Sequence, residues 1–151
     1  MERWEATLSL ALNQVEQAKN KDLDIKIQRI GMAIENLLKA VLMKAGKYVD
    51  ESRGGERHHI CFELLRKIKK EGCLDKNIIK KMEEILIGEK LIYMDQKLLN
   101  KETTAGYYPN IRYAIDVNGV WISLVEHLSP EILQQKYKLL IKFRDLIKEN
   151  I

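Results

Sequence analysis

Ile27-Gln-Arg-Ile-Gly-Met-Ala-Ile-Glu-Asn-Leu-Leu-Lys-Ala-Val-Leu-Met-Lys-Ala45 is the stretch on which the fold turns. Ile27, Ile30, Ile34, Leu37, Leu38, Val41, Leu42 and Ala45 recur at helical spacing and form a wide apolar stripe. They predict a long helix from Leu23 to Ala45, apolar enough to be the central strut of the core. Asp22 is a fitting N-cap, and Gly46 a fitting C-terminal stop. Gly31 lies inside the stripe, where glycine costs about 1 kcal/mol against alanine, so a close helix approach is expected there. Glu35 and Lys39 stand four apart in the favourable order and are expected to form an exposed pair.

The flanking segments extend the same pattern. Trp4, Leu8, Ala11, Leu12, Val15 and Ala18 predict a first helix from Arg3 to Lys19. After the central helix comes a polar loop, Tyr48 to Glu56, with Gly54-Gly55 at its centre. A third helix is expected from Arg57 to Glu71, with Ile60, Cys61, Leu64, Leu65 and Ile68 inward and Gly72 as its stop. A fourth is expected from Asp75, running as far as Leu99, with a bend at Gly88. The few residues between these two helices make them antiparallel neighbours. Ser129-Pro130-Glu131 opens the last helix, with serine as cap and proline in the first turn.

Between Asn100 and Leu128 the pattern changes. Asn118-Gly119, flanked by alternating apolar residues, is a hairpin signal that pairs Val117 with Val120 and Ile115 with Ile122. Val120, Trp121, Leu124, Val125 and Leu128 also fit a short helix. Extended or irregular structure is the favoured reading. Trp121 and Phe62 are expected in the core or at a dimer interface. The fold class is therefore all-α: an up-and-down bundle of about five helices in one domain, residues 1–151. One long irregular or β-hairpin excursion precedes the last helix.

Bulk properties narrow the function classes. The chain has 151 residues, of which 46% are apolar and 32% charged, enough for one core-bearing soluble domain. No apolar run is long enough to span a bilayer, and Met1-Glu-Arg-Trp-Glu does not open a signal peptide, so a cytoplasmic protein is expected. The net charge of +4 tolerates an anionic partner without demanding one. His58, His59, Cys61 and Cys73 lack the paired spacing that marks a zinc site. No phosphate loop, nucleophile elbow or H-E-x-x-H is present. Neither a metal nor a cofactor is expected.

Chemistry-bearing side chains gather in two places. Arg53, Arg57, His58 and His59 fall within seven residues at the start of the third helix. Two guanidinium groups beside a helix N-terminus suit a phosphate. Arg112 and Tyr113, with Tyr107 and Tyr108, offer rings for bases and a cation for phosphate. The plainer reading makes the histidines ordinary polar residues of a helix start, and the tyrosines part of a loop packed on the bundle.

Several features, in this order, resemble the HEPN superfamily, helical domains of higher eukaryotes and prokaryotes that bind nucleotides. These are the long helix with Glu35-Asn-Leu-Leu-Lys-Ala40, then His58-His59 followed by Leu64-Leu65, then a Tyr-Pro and Arg112-Tyr113 before the last helix. The resemblance implies a helical bundle that pairs as a homodimer and engages a nucleotide, an RNA or a minimal nucleotidyltransferase partner. Some members are metal-independent ribonucleases that use an arginine and a histidine with four to six residues between them, late in the chain. Arg53-Gly-Gly-Glu-Arg-His58 has that spacing but stands before the third helix. Arg112 has no histidine after it until His127. The expected function is a non-catalytic binding module with Arg53, Arg57, His58, His59, Arg112 and Tyr113 as ligand contacts. The alternatives are a ribonuclease toxin using Arg53 with His58 or His59, and a dimer that binds only protein.

Overall fold

The computed structural model describes residues 1–50, 60–92, 115–117, 119–122 and 129–151. Five helices stand among them: α1 (Arg3–Gln17), α2 (Leu23–Lys44), α3 (Ile60–Glu71), α4 (Lys76–Glu83) and α5 (Pro130–Asn150). The chain is an all-α bundle carrying one small hairpin, as the periodicity predicts.

α2 is the central strut and packs against α1, α3 and α5. Ile27, Ile30, Ile34, Leu37, Leu38, Val41 and Leu42 are each at most 1% exposed. Burial of one such side chain stabilises by roughly 1.5–3 kcal/mol, so α2 supplies the largest share of the core. Ala45, expected on the same stripe, is exposed, because the helix has already ended at Lys44. α1 adds Ala11 and Val15, α3 adds Cys61, Leu65 and Ile68, and α5 adds Leu133, Leu140, Phe143 and Ile147.

The ends of the helices follow from their residues. The Asp22 carboxylate accepts from the backbone N–H of Asp24 and of Ile25, the Asp75 carboxylate from Asn77, and the Ser129 hydroxyl from Ile132. Gly46, at φ 70°, ends α2 in a left-handed residue. The Gly46 N–H reaches the Met43 carbonyl, and the Lys47 N–H the Leu42 carbonyl. Gly72, at φ 61°, repeats this geometry with the Lys69 and Ile68 carbonyls.

α1 and α2 form a helical hairpin, and so do α3 and α4, whose Lys69 and Glu83 meet at 3.1 Å. α3 starts with Cys61 beside Glu35 and Lys39 and ends with Glu71 at 3.7 Å from Lys47. It therefore runs in the same sense as α2.

The fourth helix does not run to Leu99. α4 passes into a wider π turn at Glu84–Gly88, and the helix stops there. Lys90 takes the left-handed conformation at φ 63°, and the N–H groups of Leu91 and Ile92 reach back to the carbonyls of Ile85 and Leu86. Leu91 and Ile92 are thereby buried beyond the helix end. Their place in the helical apolar register therefore reflects core contact, not continuation of the helix. Residues 93–99 lie outside the described residues.

β1 (Ile115–Val117) and β2 (Val120–Ile122) pair antiparallel, Ile115 opposite Ile122 and Val117 opposite Val120. Gly119 has φ 82°. This is the register expected for a turn at Asn118-Gly119; Val120 and Trp121, which also fitted a short helix, are strand, and residues 123–128 lie outside the described residues. Trp121 is 71% exposed, so the expectation of a core position fails; a half-buried Phe62 packs against the core.

Candidate functional site

The described residues gather polar and aromatic groups where the N-terminus of α1 meets the C-terminus of α2. Arg3, Trp4, Met43, Gly46 and Tyr48, with Glu2, line a cleft of about 290 Å³ there. The Arg3 guanidinium lies 5.4 Å from the centre of the Tyr48 ring, and the Lys44 ammonium 4.7 Å from that of Trp4. Both distances suit cation–π attraction. Arg3 also meets Asp50 at 2.8 Å, and the Trp4 Nε1–H donates to Glu2 at 2.6 Å. Lys44 Nζ donates to the Ile151 carbonyl oxygen at 2.6 Å, which ties the end of α5 to the same place.

Beneath the cleft, Lys39 meets Glu35 at 2.7 Å and lies 5.9 Å from the centre of the Tyr48 ring. Their side chains are only 20% and 16% exposed, so this is not the exposed pair that the spacing predicts. Tyr48 and α3 cover it from two sides. Burial works to lower the Lys39 pKa, but the Glu35 carboxylate outweighs burial and raises it, aided by Tyr48. Cys61 sits beside the pair, and burial, then the Glu35 charge, push its thiol well above the usual range. Neither group is an activated nucleophile at neutral pH. What this arrangement offers is two rings, two exposed cations and a half-buried ion pair.

The segment 51–59 leaves from Asp50 and returns at Ile60. Tyr48, before it, and Cys61, after it, both neighbour the Glu35–Lys39 pair. Arg53, Arg57, His58 and His59 belong to that segment and lie outside the described residues, as do Arg112 and Tyr113. Sequence reading gave no ligand-binding role to Arg3, Trp4, Lys44 or Tyr48, and placed Lys39 only in an exposed ion pair. Trp4 fits the packing face of α1, and Arg3 and Lys44, at the two helix ends that meet here, are far apart in the chain. The available signal was Tyr48, an aromatic residue just past the glycine stop of α2 and outside any apolar stripe.

Two buried lysines elsewhere serve the scaffold. Lys26 Nζ donates to the Ala18 carbonyl at 2.7 Å and lies 4.7 Å from the centre of the Tyr137 ring; burial lowers its pKa. Lys136 donates to the Lys90 carbonyl, and burial followed by the Lys90 charge pulls it down to about 8. No group of three metal-ligating side chains stands among the described residues. No helix among them is long and apolar enough to cross a membrane.

Comparison with known proteins finds no matching family model, no matching curated protein and no matching solved structure.

Proposed function

We propose that this chain is a HEPN-like helical binding module that holds a nucleotide or an RNA nucleotide in the cleft between α1 and α2, without cleaving it. The observation that carries the reading is the pairing of each cleft ring with a cation, Trp4 with Lys44 and Tyr48 with Arg3. A base stacks on an aromatic face, worth about 1–3 kcal/mol. The displaced cation then meets the phosphate. Arg3 and Asp50 are 61% and 62% exposed, so their ion pair is weak and exchanges readily for a phosphate. Arg53, Arg57, His58 and His59 would add further contacts from the connection that leaves beside the cleft, and Arg112 and Tyr113 from the later excursion. A homodimer, or a complex with a minimal nucleotidyltransferase, is the assembly that the family resemblance proposes for such a module.

Titration of Trp4 fluorescence with ATP and with a short single-stranded RNA, in a Trp121→Phe background, tests this. The expected result is binding that weakens with salt and falls about ten-fold in Arg3→Ala, and equally in Trp4→Ala, where no tryptophan is left and binding is read by isothermal titration calorimetry. Binding that ignores both substitutions rejects the cleft. RNA cleavage in the presence of a metal chelator, lost in His58→Ala, would replace the reading with a ribonuclease that pairs Arg53 with His58.

A further inference from the structure

A second groove, sharing no lining residue with that cleft, lies between α3 and α4. Leu74 and Ile79 form its apolar floor, and Lys69, Lys76, Lys80 and Glu83 its rim; it encloses about 400 Å³. That volume is within the range of sites that take a ligand or an anchoring side chain. Glu83 is already matched, at 3.1 Å, by Lys69. Lys76 and Lys80 are exposed and make no ion pair among the described residues. They stand one helical turn apart on the same face of α4. The groove therefore presents an apolar slot beside two unmatched positive charges spaced at the period of a helix.

We infer that this groove docks an acidic amphipathic helix of a partner protein. Its apolar side chains at i and i+3 or i+4 enter over Leu74 and Ile79. Carboxylates one turn apart on its flank meet Lys76 and Lys80. The chemistry favours this occupant over nucleic acid. No aromatic ring lines the groove to stack a base, and a phosphate backbone leaves an apolar floor uncovered.

Selection of a random helical-peptide library against the full chain tests the inference. Enriched peptides should carry an i, i+3/i+4 apolar pattern with adjacent Asp or Glu. The best of them should bind at least ten-fold more weakly to Lys76→Glu/Lys80→Glu, a double variant on exposed positions whose thermal midpoint is expected to be unchanged. Leu74→Ala should weaken the same peptides. The inference is overturned if nothing is enriched, if the enriched peptides lack carboxylates, or if the double variant binds them as well as the parent does. It is equally overturned if no peptide is enriched while the double variant loses self-association or binding to an oligouridylate, which would assign the groove to a second copy or to RNA. Substitutions at Trp4 or Arg3 should leave peptide binding unchanged, which separates this result from any failure at the cleft.

Discussion

The ammonium of Lys136 donates to the main-chain carbonyl oxygen of Lys90 from a position only 5% exposed. It holds the left-handed residue that ends the fourth helix against α5. Burial, then the Lys90 charge, lowers its pKa from 10.5 to about 8. Below about pH 8 the amine is charged in both folded and unfolded chains, and the folded protein carries the cost of burying that charge. Between about pH 8 and 10.5 the unfolded chain binds more protons, so this group's contribution to stability rises with pH. Urea unfolding of the parent and of Lys136→Met across that window checks the sign. The parent should gain on the order of 2 kcal/mol relative to the variant as pH rises.

Asn36 Nδ2 donates to Gln14 Oε1 at 2.9 Å across the α1–α2 seam, where Gln14 is 3% exposed. Asn36→Leu leaves that buried oxygen without its donor and should cost about 1–3 kcal/mol. Gln14→Leu/Asn36→Leu removes both partners and should cost less than the sum of the single changes. A double-mutant cycle by denaturant titration measures the difference.

The two thiols should differ in reactivity. Cys61 is 3% exposed and its thiol is held protonated by burial; Cys73 is partly exposed, its pKa raised more modestly by burial and by Glu71. Alkylation followed by mass spectrometry should label Cys73 slowly in the native protein. Cys61 should react only as fast as the chain unfolds. Native labelling of Cys61 would contradict its buried place on α3 beside the Glu35–Lys39 pair.

Gly46 has φ 70° and open space around the position of a β-carbon. The cost of Gly46→Ala is therefore conformational and should be about 1 kcal/mol, read as a lower thermal midpoint. Gly46→Asn should cost less, since asparagine tolerates this backbone region better. Equal losses for the two would point to contacts rather than dihedral preference.

The apolar period of α2 made the core legible, because a stripe of that width has to be covered on several sides. The Gly46 and Gly72 stops and the Asp22, Asp75 and Ser129 caps were legible for local reasons: each acts through neighbours within a few residues. The end of the fourth helix was not, since it depends on Lys136, 46 residues beyond Lys90. The partial burial of Glu35 and Lys39 was hidden for the same reason: Tyr48 and α3 supply the cover, and helical spacing alone cannot register them. The cleft draws on Arg3, Tyr48 and Ile151, so no single stretch announces it.

The bond from Lys44 to the Ile151 carbonyl spans 107 positions of sequence, and it bears on the order of assembly. The two helical hairpins close over short distances and can form early, whereas contacts between remote parts of a chain wait on slow loop closure. The rim of the cleft thus reaches its finished shape only when α5 docks. A folding intermediate with a fully zipped first hairpin would still lack a competent binding mouth, so ligand capture would report on the last step of maturation rather than the first.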